Sequence, residues 1–248
     1  MGLAESILAE IDGARKPHKR PFITLSYAQS LDGCIAARRG ERLQISGQES
    51  AQLTHKLRAH HDSILVGVGT VLADDPQLSV RLVEGDDPQP VILDSQLRIS
   101  SDTKLIKARS PWIATTIQAD PLKAAELEAR GSQLLYLPAQ ADGHVSLPDL
   151  MDCLVRMGVE RLMVEGGAEV ISSFIAQRIV DFLVVTISPM IVGGLQSVQI
   201  LNENDPIPSA SDFPKLGELT AGKLGEDLIV WGQPQWPAIR DNKRRNIE

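Results

Sequence analysis

Short apolar segments recur along the chain at intervals that suit the strands of a buried sheet. Residues 64–68 form a continuous apolar run rich in β-branched side chains, which is typical of a strand covered on both faces. The sequence predicts strands over residues 22–27, 63–68, 90–94, 112–116, 133–137, 161–164, 182–188 and 228–231. We expect these segments to form one central sheet.

Segments with helical periodicity separate most of these strands. Ser46 precedes one of them, and Glu49 follows at the spacing of a capping box, which predicts the start of a helix. Asp120 and Pro121 provide a cap and a first-turn proline for another helix, which Gly131 ends. Further helices are predicted over residues 1–16, 47–61, 147–157 and 168–177, the first of them on the surface. The alternation predicts an α/β fold with a mostly parallel sheet flanked by helices on both faces.

The composition is that of a globular chain with enough apolar residues for a sizeable core. Of the 248 residues, 43% are hydrophobic and 23% are charged, a balance that argues against a disordered or membrane protein. No apolar stretch approaches the roughly 20 residues needed to cross a bilayer. We expect one domain over residues 20–232, a helical extension at 1–19, a tail at 233–248 and an irregular surface excursion at 193–218.

Charge and cysteine content narrow the possible partners. The net charge of −7 gives the chain no general affinity for nucleic acid, so an anionic ligand requires a local basic pocket. Cys34 and Cys153 form no disulfide framework and lack metal-ligand spacing, which favours a reducing, cytoplasmic location. His60 and His61 are adjacent at a predicted helix end, where their side chains diverge, so no metal site is predicted.

Polar residues follow the predicted strand at 63–68, where open α/β sheets bind their ligands. Gly67 and Gly69 leave room for a ligand near the backbone, and Thr70, Asp74 and Arg81 follow them. The two glycines lack the third glycine and the crossover fingerprint of a Rossmann site. A ligand site is therefore predicted here, but not a Rossmann fold.

A second polar turn follows the predicted strand at 161–164. Gly166 and Gly167 precede a helix whose free N–H groups and dipole can bind a pyrophosphate, although a tight turn without a ligand has the same pattern. Glu165 ends the apolar strand, and partial burial there is expected to raise the pKa of its carboxyl group. This residue either transfers a proton or caps the next helix.

Three further charged residues have two interpretations each. The guanidinium groups of Arg58 and Arg81 can converge on a phosphate, or each can form a surface ion pair. Asp32 lies in the predicted turn at 30–33, where a structural and a catalytic role fit the sequence equally well.

Four ordered segments resemble the reductase family of riboflavin biosynthesis. They are YAQSLDG at 27–33, THKLR at 54–58, GTVLADDPQLSVR at 69–81 and VEGGAE at 164–169. The resemblance extends over about residues 20–232, and four segments in order are more specific than one short motif. It implies a dihydrofolate-reductase-like fold and an NADPH-dependent oxidoreductase that forms a homodimer.

The resemblance also implies roles for individual residues. The residues expected to contact NADPH are Ala28, Thr70, Asp74, Ser95, Gly166, Gly167, Ala168, Glu169 and Val170. The residues expected to contact a phosphorylated pyrimidine substrate are Arg58, Leu78, Arg81 and Glu165. The catalytic candidates are Glu165 and Asp32.

The implied reaction reduces a ribosylamino-pyrimidine 5′-phosphate to the ribitylamino compound. Ser26 and Gln44 stand where many bacterial members have lysine and tryptophan, and the segment at 24–30 resembles the fungal and archaeal branch. This favours 2,5-diamino-6-ribosylamino-4(3H)-pyrimidinone 5′-phosphate as the substrate. The alternatives are the deaminated uracil compound, a pteridine or dihydrofolate reductase, and a nucleotide-binding module without turnover. A stand-alone reductase is expected, because the sequence lacks the zinc-binding signature of a deaminase half.

Overall fold

The computed structural model describes residues 2–15, 19–201 and 209–237. The helices are α1 Leu3–Ala14, α2 Gln48–Ala59, α3 Val68–Asp74, α4 Lys104–Arg109, α5 Pro121–Ala129, α6 Leu147–Arg156 and α7 Ala168–Ala176. The strands are β1 Phe22–Ser30, β2 Cys34–Ala36, β3 Ser63–Gly67, β4 Gln89–Leu93, β5 Trp112–Thr116, β6 Gln133–Leu137, β7 Arg161–Val164, β8 Phe182–Ser188, β9 Leu195–Gln196, β10 Lys215–Leu216, β11 Thr220–Leu224, β12 Asp227–Gly232 and β13 Pro234–Gln235.

A central sheet of nine strands has the order β11-β12-β8-β1-β7-β3-β4-β5-β6. Strand β1 pairs in parallel with β7 and β8, and the neighbours from β7 to β6 are parallel as well. Strands β12 and β11 continue the sheet in antiparallel pairing. The predicted α/β fold with a mostly parallel sheet is confirmed. Because β1, β7 and β3 are parallel neighbours, their carboxyl ends meet at one edge of the sheet.

Both faces of the sheet are covered by helices, as the unbroken apolar strands predict. On one face, α6 and α7 pack their apolar side chains against Leu25, Leu65 and Val164. On the other face, α1 and α2 pack against Phe22 and Met163. Adjacent residues of one strand thus face opposite helix layers, which follows from the two-residue period of a β-strand.

Helix α1 is an amphipathic surface helix that packs one face against the core. Ile7 and Ile11 have no exposed surface, and they belong to the same core cluster as Leu53 and Leu57 of α2. The prediction of a surface helix is confirmed, because Glu5, Glu10 and Asp12 on its other side are exposed. The four isoleucine and leucine side chains pack together because α1 presents its apolar face to α2.

The structure corrects one helix cap and confirms another. Helix α2 has no side-chain cap from its own segment, so the capping box predicted from Ser46 and Glu49 is wrong. The Oδ2 atom of Asp227 on β12 accepts instead from the Gly47 N–H at 2.8 Å and from the Ser50 hydroxyl at 2.6 Å. The predicted cap of α5 is confirmed, because Asp120 accepts from the Leu122 N–H at 2.9 Å.

Several short elements differ from the sequence prediction. Strand β3 ends at Gly67, and Val68 begins the helix α3, which periodicity did not predict. Helix α4 was not predicted either, and β13 extends ordered structure beyond residue 232 by pairing with β10. Residues 202–208 of the predicted excursion and 238–248 of the predicted tail lie outside the described residues. In the part of the chain that is described, no helix has the length and apolar character needed to cross a membrane.

Candidate active site

A cleft of about 600 Å³ lies where the carboxyl ends of β1, β3 and β7 meet. Its walls also include helix α3 and the loop that follows β2. The candidate residues that line it are Ala28, Arg58, Thr70, Asp74, Leu78, Glu165, Gly166, Gly167, Ala168, Glu169 and Val170. The structure therefore brings together most of the residues that the sequence predicted for cofactor and substrate.

A second cleft of about 310 Å³ adjoins the first. Both are lined by Gly67, Gly69, Arg98, Glu169 and Val170, so the two clefts form one groove past the end of β3. The predicted cofactor residue Ser95 lines the second cleft, and its hydroxyl accepts from the Val145 N–H at 3.1 Å.

The glycines at this edge of the sheet have different structural roles. A Cβ atom at Gly67 would lie 2.8 Å from Cγ2 of Val170, and one at Gly166 would lie 2.6 Å from Cβ of Val170. These two glycines let α7 approach the sheet closely. Around a Cβ atom at Gly69, in contrast, no described atom lies within 4 Å apart from its chain neighbours and the backbone of its own helix. An added side chain therefore has room at Gly69 but not at Gly67, although both glycines line the groove.

The N-terminus of α7 faces the groove with unused donors. Its cap residue is Gly167, and among the described side chains none caps the helix. The first N–H groups of a helix lack partners within the helix, and the helix dipole adds positive potential at this end. Residues 167–170 line the larger cleft, so this terminus can bind an anion such as a pyrophosphate.

Arg58 and Glu165 form a bidentate ion pair in the same cleft. The Arg58 Nε atom donates to Glu165 Oε1 at 2.8 Å and its Nη2 atom to Oε2 at 2.7 Å, with the two side chains only 12% and 19% exposed. Burial opposes the charge on the guanidinium, but the adjacent carboxylate outweighs it and raises the pKa of Arg58. Glu165 is thus partly buried at the end of an apolar strand, as expected, but a cation lies against both of its oxygens.

Arg81 lies beside this pair but outside both clefts. Its Nη1 atom donates to the Ser79 hydroxyl at 2.7 Å, while Arg58 Nη1 donates to the Ser79 carbonyl at 3.1 Å. Ser79 therefore links the two arginines that the sequence assigned to a phosphate. The Arg81 side chain is exposed, whereas the neighbouring Leu78 is buried and lines the cleft.

Asp32 is separated from the other candidates. Its carboxylate accepts from the Ser30 hydroxyl and from the N–H groups of Val192 and Gly193 at 3.1 and 2.6 Å. These bonds, the one from Ser30 first, hold the pKa of Asp32 well below its usual range. Because Asp32 lines neither cleft and fastens its turn to residues 192–193, the structure favours the structural interpretation, and the catalytic role stays a prediction.

The cleft also contains basic residues that sequence reasoning missed. Arg39 and Arg42 line the larger cleft, and Arg39 forms an ion pair with Glu169 at the start of α7. Burial raises the pKa of Asp74 on the opposite wall, and the charge of Arg42 partly offsets this effect. With Arg98, these side chains supply the local basic pocket that a net negative chain needs for an anion. The basic run at 38–42 was the available signal.

The comparisons with known proteins agree on one family. The family model of the RibD C-terminal domain matches residues 21–230. A protein of Methanothermobacter thermautotrophicus is 38% identical over 85% of this chain and 97% of its own length, and it is named 2,5-diamino-6-ribosylamino-4(3H)-pyrimidinone 5′-phosphate reductase. A protein of Debaryomyces hansenii with the same name is also 38% identical, over 70% of this chain and 77% of its own.

A solved structure supports the same assignment. The Saccharomyces cerevisiae riboflavin biosynthesis reductase matches with a TM-score of 0.70 and 28% identity, over 90% of this chain and 94% of its own. The resemblance and the fold predicted from the sequence are both confirmed. The chain belongs to the RibD C-terminal domain family.

Proposed function

We propose that this chain reduces 2,5-diamino-6-ribosylamino-4(3H)-pyrimidinone 5′-phosphate to its ribitylamino product with NADPH. The observation that carries the proposal is the groove itself. At the ends of β3 and β7, an open helix N-terminus lies beside the mostly buried pair of Arg58 and Glu165. One groove thus offers backbone donors for a dinucleotide and charged side chains for a polar substrate.

The groove fits an extended nicotinamide cofactor. The N-terminus of α7 begins after Gly167, has no side-chain cap, and would hold the pyrophosphate. Thr70, Asp74 and Ala28 would bind the half of the cofactor in the larger cleft, and Ser95 the half in the smaller cleft. When bound, NADPH supplies the hydride.

The charged side chains fit the substrate. Arg81 and Arg58, which both bond to Ser79, would bind the 5′-phosphate. Leu78, which lines the cleft, would contact the pyrimidine or the sugar. Fixing the phosphate holds the distant sugar carbon in place for reduction. We propose that Glu165 orients the substrate, or orients a water molecule that protonates the nitrogen of the opened sugar. It is held in place for this role because both of its oxygens accept hydrogen bonds from Arg58.

The remaining assignments follow the family. We propose a homodimer in a reducing compartment, consistent with the free thiols of Cys34 and Cys153. The basic residues of the groove favour a phosphorylated substrate over an unphosphorylated pteridine. Light scattering after size-exclusion chromatography would test the dimer.

The proposal is tested by following NADPH oxidation with the purified protein. The diamino and the deaminated ribosylamino-pyrimidine phosphates are supplied in turn, and the dephosphorylated diamino compound serves as control. We expect turnover with the diamino phosphate to exceed that with either of the others. If the protein preferred the deaminated phosphate, its reduction step would follow the deamination of the pyrimidine. If no compound were turned over, the protein would be a nucleotide-binding module without reductase activity.

A further inference from the structure

Four side chains, two of them from α2, hold the backbone of residues 77–81, which we name the anchored segment. Arg109 donates to the Leu78 carbonyl at 3.3 Å, and Arg58 to the Ser79 carbonyl at 3.1 Å. Asp87 accepts from the Val80 N–H at 2.6 Å. The Arg81 N–H, the last of the series, donates to the imidazole of His55 at 2.9 Å.

The anchored segment has a conformation that it would not adopt by itself. Leu78 has a φ of +49°, in the left-handed region that a branched apolar residue rarely occupies. Such a conformation persists only where the surrounding contacts determine it. The side chains that bond to the segment, together with burial of Leu78, provide those contacts.

His55 acts on this segment in one protonation state only. Its Nδ1 atom accepts the Arg81 N–H, so in the neutral ring the proton lies on Nε2. Protonation of Nδ1 would replace the acceptor with a donor that faces the N–H group of Arg81. The imidazole is buried on α2, one helical turn before Arg58.

The charges around His55 keep it in the accepting state. Arg58 on its own helix and Arg81 on the anchored segment face it, as do the carboxylates of Glu165 and Asp87. Burial and the two guanidinium groups lower the pKa of His55, and the two carboxylates only partly offset them. Near neutral pH the ring is therefore neutral and accepts.

We propose that His55 is a positioning residue that fixes the backbone of Arg81 and so directs its guanidinium to the phosphate end of the substrate. The inference rests on the proposed function, because it takes Arg81 as the phosphate anchor. Holding the backbone of Arg81 in place reduces the conformational freedom that its guanidinium loses when it binds a phosphate. His55 does not touch the substrate; it acts through one hydrogen bond to the main chain of Arg81.

The test compares His55→Leu, which removes the acceptor, with His55→Asn, whose Oδ1 atom takes the place of Nδ1 and does not titrate. We expect His55→Leu to raise KM for the phosphorylated substrate roughly tenfold with kcat within about twofold, because the hydrogen bond that positions Arg81 is lost and the phosphate is bound more weakly. His55→Asn should recover most of that loss. It should also lessen the rise of KM that the wild-type protein shows as the pH is lowered, leaving only the part caused by protonation of the substrate phosphate, whose second pKa is about 6.

Two controls separate positioning from general damage. His61 is also buried near the end of α2, but it bonds to Thr24 and Leu57, so His61→Asn should leave KM for the phosphorylated substrate unchanged. In an Arg81→Ala background, His55→Leu should add no further rise in KM. Equal loss with His55→Leu and His55→Asn, or an additive effect with Arg81→Ala, would overturn the inference.

Calorimetric binding of the same phosphate compound, without cofactor, distinguishes failure of this inference from failure of the proposed function. If the wild-type protein binds the compound but does not turn it over, the proposed function fails. The ratio of dissociation constants for His55→Leu and His55→Asn then still decides the inference: a ratio near one overturns it, and a ratio near ten supports it. If His55→Leu does not fold, an unchanged acid dependence of binding in His55→Asn overturns it.

Discussion

The two halves of the groove are built in different ways. Around Gly166 and Gly167 the backbone itself supplies the donors, and a few consecutive residues form the whole turn. Around Arg58 the side chains form the site, and the ion pair with Glu165 joins residues 107 positions apart. We call these the backbone half and the side-chain half. The backbone half is sensitive to added volume, whereas the side-chain half is sensitive to the loss of one partner.

The largest effect is expected from Arg58→Ala in the side-chain half. Removing one member of a mostly buried ion pair leaves an uncompensated carboxylate at Glu165, which costs about 3 kcal/mol of unfolding free energy. Urea unfolding measures that loss, and NADPH oxidation should fall as well. A change below about 1 kcal/mol would show that water replaces the guanidinium without cost.

A double variant separates stability from function at this pair. Arg58→Met combined with Glu165→Met removes both charges and keeps the volume, so we expect unfolding free energy within about 1 kcal/mol of the wild type. Turnover should stay lost, because neither residue can then bind a polar group. Recovered turnover would contradict a role of the pair in the reaction.

A second large effect concerns pH and the helix that carries Arg58. His61 is fully buried near the end of α2, where Nδ1 bonds to the Leu57 carbonyl at 2.6 Å and Nε2 to the Thr24 hydroxyl at 2.8 Å. Burial lowers the pKa of His61 to about 4. The pKa of His61 is higher in the unfolded chain than in the folded protein. The contribution of neutral His61 to the unfolding free energy is therefore complete above about pH 6.5 and is lost progressively towards about pH 4. The loss amounts to roughly 3 kcal/mol.

Unfolding free energies measured across this pH window test the assignment. His61→Asn does not titrate, so its pH dependence should be flatter than that of the wild-type protein. His144 is 69% exposed, and His144→Asn should keep the wild-type slope. Parallel curves for the wild type and His61→Asn would attribute the acid sensitivity to other groups.

The sequence predicted the backbone half better than the side-chain half because the two depend on different ranges along the chain. The turn after β7 is a local pattern of strand, two glycines and helix, and that order was visible in the residues themselves. The pairing of Arg58 with Glu165 depends on how β7 and α2 pack. The capping box predicted for α2 failed for the same reason, since Asp227 on a distant strand bonds to the Gly47 N–H instead. Individual residue roles in the groove stay predictions.

A smaller effect is expected in the backbone half from Gly67→Ala. The new Cβ atom would lie 2.8 Å from Cγ2 of Val170, and this overpacking should cost about 1 to 2 kcal/mol of unfolding free energy and weaken NADPH binding. In a Val170→Ala background the same substitution should cost less than about 0.5 kcal/mol, because the clashing atom is gone. Gly69→Ala serves as the stability control, since no described atom lies within 4 Å of its Cβ position. An equal cost in both backgrounds would contradict the close packing of α7.

The smallest effect on the unfolding free energy is expected from Arg39→Ala. This variant tests whether burial explains why the Arg58–Glu165 pair contributes more to stability than the Arg39–Glu169 pair. Arg39 pairs with Glu169 at the mouth of the cleft, but both side chains are 65% exposed, against 12% and 19% for Arg58 and Glu165. Water solvates either charge after its partner is removed, so unfolding free energy should change by less than about 0.5 kcal/mol. Urea unfolding of Arg39→Ala beside Arg58→Ala measures both pairs in one experiment. Similar losses for the two variants would mean that position in the groove, rather than burial, sets the strength of its ion pairs.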